Sequence, residues 1–127
     1  MRVLYISLFG LVGIWGRYLL GIGVSKFLPP PFPYGVFIAN VVGAFLIGVI
    51  YVLGVEKMVL SEAVRLGIIV GLLGGFTTFS SYCLDTAELL EEGEWLVASA
   101  YWIISPVIGL AAAFVGLFIT RYLLKVN

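Results

Sequence analysis

The residues that most plainly could do chemistry lie between Gly71 and Tyr82, in the run Gly-Leu-Leu-Gly-Gly-Phe-Thr-Thr-Phe-Ser-Ser-Tyr. From Gly74 to Tyr82, nine positions hold a Gly-Gly pair and five hydroxyl-bearing residues, inside an otherwise apolar segment. In a soluble protein this would be a turn. At bilayer depth, bare backbone is tolerated only where protein buries it or it lines a wet cavity. We therefore read Gly74-Gly75-Phe76-Thr77-Thr78 as an interruption of a transmembrane helix that builds an ion site. Just beyond it, Phe79 and Tyr82 lie three residues apart and share a helical face. Ring edges are electropositive, so this pair could hold a small anion without any full positive charge. Core packing is the ordinary role of such a pair, and Phe76 is equally well spaced.

Two further polar residues stand in apolar runs. Asn40 offers either neutral amide donors to an anion or interhelical hydrogen bonding worth roughly 1 kcal/mol; taken alone, it fits the second better. Arg17 lies deep in the first run, where a lone charge is costly. Its long stem can snorkel to the interface or bond the carbonyls of a helix end. The other reading is that it shapes the potential at a pore mouth.

The elements that must position these residues are membrane spans. Of 127 residues, 62% are hydrophobic and 11% charged, with a mean hydropathy of +1.17. Soluble domains carry about 25% charged residues, so this is an integral membrane protein. At about 20 apolar residues per crossing, the chain has room for four spans. A net charge of zero argues against nucleic acid. With no histidine and only Cys83, an internal disulfide is impossible, and a His/Cys metal site or imidazole-based enzyme is argued against.

The spans are expected over about 3–24, 35–55, 63–90 and 95–124. The first, though preceded by Arg2, is long for a signal peptide and lacks a clean cleavage site, so we read it as a retained helix. Four of the five prolines fall between Ser25 and Tyr34 and must end it; the aromatic residues there suit an interfacial belt. The third run, at about 28 residues and about 42 Å, exceeds a hydrocarbon core of roughly 30 Å, which again argues for a break. Gly67, Gly71 and Gly75 form a ladder suited to plain helix packing. The acidic run from Asp85 to Glu94 reads as a solvated loop. In the fourth span, Tyr101, Ser105 and Gly109 recur every four residues, and Pro106 is a candidate kink. Arg2, Lys57, Arg65, Arg121 and Lys125 share one side, a modest bias that places both termini in the cytoplasm.

Three motifs, Gly13-Ile14-Trp15-Gly16-Arg17-Tyr18, Gly35 to Gly43 around Asn40, and Gly71 to Tyr82, together resemble the fluoride channels of the Fluc/CrcB family over nearly the whole chain. The resemblance implies an all-α membrane fold with the third helix broken, an antiparallel homodimer in the inner (plasma) membrane with two fluoride pores, and a central structural sodium ion. It places the sodium on the backbone carbonyls of Gly74 and Thr77. It assigns Asn40 to fluoride contact, Phe79 and Tyr82 to two ring positions, and hydroxyls of Thr78, Ser80 or Ser81 to the pore. Tyr101 and Ser105 match the start of a polar track, and Arg17 falls at the vestibule. Carbonyls suit a hard cation, and neutral donors suit a small hydrated anion that must also be released.

Two positions depart from the family's pattern. Tyr82 stands where phenylalanine is usual, and Gly109 and Ala111 shorten the polar track. Pairing of non-identical subunits is accordingly an alternative to the homodimer. A small proton-coupled multidrug exporter would need a carboxylate in the first span, but no acidic residue precedes Glu56. A non-transporting assembly subunit would leave the hydroxyl-rich break unexplained.

Overall fold

The computed structural model describes residues 1–125, all of them in helices or short connections. Four helices are long and apolar enough to cross a membrane. The first, α1, is Arg2–Ser25, and α2 is Tyr34–Glu56, whose last turn is wound in the wider π manner. The third span, Glu62–Glu91, is two helices: α3, covering 62–76, and α4, Phe79–Glu91. The fourth, α5, is Trp95–Leu123 and continues through Pro106 without a gap in helical structure. The expected four-helix architecture with a broken third helix is thus present.

Helix ends follow the local chemistry. Ser61 opens α3 by accepting the Val64 amide, and Thr78 opens α4 by accepting the Ser81 amide. After α4, Gly93 takes a φ of +79°, a left-handed turn that glycine adopts without steric cost. The carboxylates of Glu88, Glu91, Glu92 and Glu94 in this region are exposed, as a solvated acidic segment should be.

Packing between helices depends on missing side chains. In a bilayer the apolar surface has no water to escape, so helices associate through close van der Waals contact, which small residues permit. On α1, a β-carbon at Gly13 would overlap the Leu72 carbonyl of α3, and one at Gly71 would overlap the Ile6 carbonyl of α1. The Gly67–Gly71–Gly75 ladder is therefore the α1 contact. A second such seam joins α2 to α5, where Gly48 meets the Ala113 carbonyl and Gly116 meets the Phe45 carbonyl.

One end of the bundle gathers most of the basic residues. Arg121 binds the Glu56 carboxylate through both Nε and Nη2, and Arg65 donates to the Gly54 carbonyl at 3.2 Å. Arg2 and Glu62 pair at 2.8 Å but are largely exposed, so that contact adds little stability. Near the opposite end a buried cluster forms from Tyr82, Leu89, Ala98 and Tyr101, with Phe32 and Phe37 packed against it. Phe32 departs from expectation. Its ring meets Phe37, Tyr34 and Tyr101 at centroid distances of 5.4, 4.7 and 5.3 Å, so the proline-rich connector turns it into the bundle and not out to an interfacial belt.

The two seams predict a sharp contrast between glycines. Gly116→Val pushes side-chain atoms into the α2 backbone and should cost about 3 kcal/mol or more. Gly23→Ala, with nothing within 4 Å of the added carbon, should stay within about 0.5 kcal/mol of the parent. Thermal unfolding of detergent-solubilised protein reads both. Equal stability of the two variants would remove the α2–α5 seam from the account.

Candidate ion site

The break is narrower and later than the sequence suggests. Gly74, Gly75 and Phe76 remain helical, with Gly74 at φ −63° and ψ −36°, and the Thr77 amide still reaches the Leu73 carbonyl at 2.9 Å. Only Thr77 and Thr78 are extended, at φ −90°, ψ 157° and φ −152°, ψ 121°. The glycine pair does not unwind the helix. Gly75 instead lets α3 lie against α1, where a β-carbon would meet the Gly10 carbonyl oxygen at 2.9 Å and the Ile14 amide at 3.2 Å.

Two extended residues strand backbone groups that must find partners elsewhere. Asn40, from α2, supplies two. Its Oδ1 accepts the Thr78 N–H at 2.8 Å, and its Nδ2 donates to the Thr78 carbonyl at 3.0 Å. Arg17, from α1, supplies a third by donating from Nε to the Gly75 carbonyl at 3.2 Å. Of the roles open to Arg17, capping a helix end is the one this geometry displays. Thr77 ties its own hydroxyl back to the Leu73 carbonyl at 2.8 Å. The carbonyls of Gly74, Phe76 and Thr77 receive no hydrogen bond from the described residues. A cleft of about 400 Å³, lined among others by Asn40, Gly43, Gly74, Thr77 and Phe79, opens beside them. Gly43 makes room there, since a β-carbon would overlap the Thr77 methyl group.

The hydroxyls after the break form a cluster. Thr78 Oγ1 accepts the Ser81 amide at 3.2 Å and lies 3.1 Å from Ser81 Oγ and 3.4 Å from Ser80 Oγ. Their first observed task is to cap α4.

From the cap, a line of rings leads along α4 to α5. Phe79 is 72% exposed on the isolated subunit, with its ring 5.9 Å from that of Tyr82. Tyr82 is buried and meets Tyr101 nearly edge-on at 5.1 Å, while its hydroxyl donates to the Trp102 carbonyl. Tyr101 is fully buried and donates to Asp85 Oδ2 at 3.1 Å. Ser105, one turn on, holds a buried hydroxyl oxygen with no hydrogen-bond partner among the described residues. Phe76 is not part of this line. It ends α3 before the break and lies between α1 and α2, beside Gly16 and Gly43.

Asp85 is the residue that sequence reasoning passed over by grouping it with the acidic segment. It is half-buried, and its carboxylate faces Tyr101. Its spacing held the signal, because Phe79, Tyr82 and Asp85 fall at successive intervals of three on one face of α4.

The Asn40 bridge is testable by substitution. Asn40→Asp keeps the acceptor for the Thr78 amide but sets an oxygen against the Thr78 carbonyl, and should cost about 1–3 kcal/mol. Thr78→Ala leaves that backbone bridge intact and removes only the cap, a loss of about 1 kcal/mol. Thermal unfolding that ranks Thr78→Ala as the more damaging change would contradict the bridge's role.

The chain's similarities run over nearly its full length. The family model described as "CrcB-like protein, Camphor Resistance (CrcB)" matches residues 4–117. A protein of Geobacter metallireducens named "Fluoride-specific ion channel FluC" is 39% identical over 123 residues, covering 97% of this chain and 99% of its own length. One of the same name from Nitrobacter winogradskyi is 42% identical over 119 residues, 94% of each chain. "Fluoride-specific ion channel FluC 2" of Symbiobacterium thermophilum is 44% identical over 107 residues, 84% of this chain and 87% of its own length.

Proposed function

The chain belongs to the CrcB family, and we propose that it is a fluoride-selective channel, passively exporting cytoplasmic fluoride across the inner membrane and so limiting its toxicity. The relatives' names are those of ion channels and not of enzymes. The observation that carries the reading to this chain is the run of neighbouring rings Phe79, Tyr82 and Tyr101 that starts at the capped break, with a Ser105 hydroxyl one turn along α5 from Tyr101 that has no hydrogen-bond partner among the described residues. It offers ring edges and neutral donors.

Fluoride is small and strongly hydrated, so a selective path must replace its water and still let it go. A lysine or arginine in the path would replace the water but hold the ion. Asn40 keeps one amide hydrogen beyond its bond to Thr78, and Ser105 has a donor to give; a buried hydroxyl left unpaired costs about 1–3 kcal/mol, which a passing anion would relieve. Electropositive ring edges at Phe79 and Tyr82 add attraction without full charge. The Thr78, Ser80 and Ser81 hydroxyls stand at the head of this line.

We further propose that two copies assemble antiparallel, as a dual-topology homodimer with two pores. Gly74 and Phe79 are exposed on the isolated subunit beside the cleft, the surface a second copy would cover. The carbonyls of Gly74 and Thr77, which no hydrogen bond from the described residues reaches, are the donor type a hard monovalent cation takes. A sodium ion held there would supply a fixed positive charge at the dimer centre. Arg17 would hold the neighbouring Gly75 carbonyl aside and contribute to the vestibule potential.

Efflux from liposomes containing only this purified chain tests the channel. Fluoride release without chloride release is expected; silence for both ions would direct the search to a paired, non-identical subunit. Phe79→Ile should cut fluoride efflux more than about tenfold with assembly retained, because isoleucine keeps an apolar side chain on the surface the second copy would cover and removes only the electropositive ring edge. Undiminished efflux would take Phe79 out of the path. Purification with a bulky organic cation replacing sodium should shift the dimer toward monomer on size exclusion, and an indifferent dimer would count against the cation site.

A further inference from the structure

Tyr82 and Pro106 meet at a single atom, the backbone carbonyl oxygen of Trp102. Proline has no N–H, so Pro106 cannot donate to the carbonyl four residues before it, which is that of Trp102. Helix α5 nevertheless runs on unbroken through Pro106. Within a membrane span, a carbonyl released in this way has no bulk water to turn to and must be satisfied by a neighbour. The Tyr82 hydroxyl, from α4, donates to it.

The same contact fixes the ring. Tyr82 stacks on the Trp102 indole at a centroid distance of 4.8 Å and an interplanar angle of 5°. It presents itself nearly edge-on to Tyr101, at 5.1 Å and 67°. With one proton to donate, and that proton given to α5, the Tyr82 hydroxyl has none left for an anion.

We propose that Tyr82 and Pro106 are a matched pair. Pro106 opens a carbonyl on α5, and the Tyr82 hydroxyl fills it. That bond sets the orientation of the second ring against the first, Phe79, 5.9 Å away. The Tyr82 hydroxyl then has a positioning role for its own ring, and this group, which phenylalanine would lack, serves the helix and not the ion. The pairing stands on geometry alone; its effect on conduction rests on the channel reading above.

A double-mutant cycle of Tyr82→Phe and Pro106→Ala tests it. Alanine at 106 restores the missing N–H in a residue that favours helix. In the parent, Y82F leaves the carbonyl unpaired and should lower both the unfolding temperature and fluoride efflux per reconstituted protein. In the P106A background, both losses should be markedly smaller. Equal losses in the two backgrounds would overturn the pairing and return the hydroxyl to the ion. Should Y82F fail to fold, recovery of a folded dimer in Y82F/P106A supports the pairing, and failure in both backgrounds overturns it. Coupled unfolding temperatures in a protein that conducts no fluoride, alone or with a paired subunit, would sink the channel reading and leave the pairing standing. Normal parental conduction without coupling would do the reverse.

Discussion

A chain that stops being helical inside a bilayer leaves backbone N–H and C=O groups without their ladder partners, and each must be satisfied or it destabilises the fold. Everything distinctive about this protein follows from how it meets that demand at Thr77 and Thr78. Asn40 takes the amide and the carbonyl of Thr78, and Arg17 takes the carbonyl of Gly75. The carbonyls of Gly74, Phe76 and Thr77 receive no hydrogen bond from the described residues, and Gly74 and Thr77 line a cleft. The same accounting that stabilises the break thus leaves carbonyl oxygens unpaired beside it.

Satisfying a backbone group from another helix requires that helix to be close. Glycine provides the approach. Gly13 and Gly71 bring α1 against α3, which puts Arg17 within reach of Gly75, while Gly43 admits Thr77 against α2 and keeps Asn40 beside Thr78. Packing and polar satisfaction are one arrangement here, since a larger residue in either seam would withdraw the donors along with the helix.

On the far side of the break the constraint changes from backbone to ring. Thr78 caps α4 and starts a helix whose single face carries Phe79, Tyr82 and Asp85. Two of these, Tyr82 and Asp85, are bonded to α5 through Trp102 and Tyr101. Helix α4 is consequently held at its cap and along its first two turns.

Residue types and their spacing were enough to show an all-helical membrane protein with four spans, an interruption in the third, and a concentration of hydroxyls and rings around it. Those properties are local: hydropathy accumulates over about 20 residues, and facing positions recur at intervals of three and four. They do not reveal which residues of Gly74 to Thr78 leave the helix. That depends on Asn40 arriving from 38 positions away to take both backbone groups of Thr78. Nor do they reveal that Phe32 turns inward from a proline-rich connector, that Asp85 receives Tyr101, or that the Tyr82 hydroxyl is spent on a carbonyl released by Pro106. A hydrogen bond is decided within about 3 Å, and only the packing of distant helices brings those atoms that close.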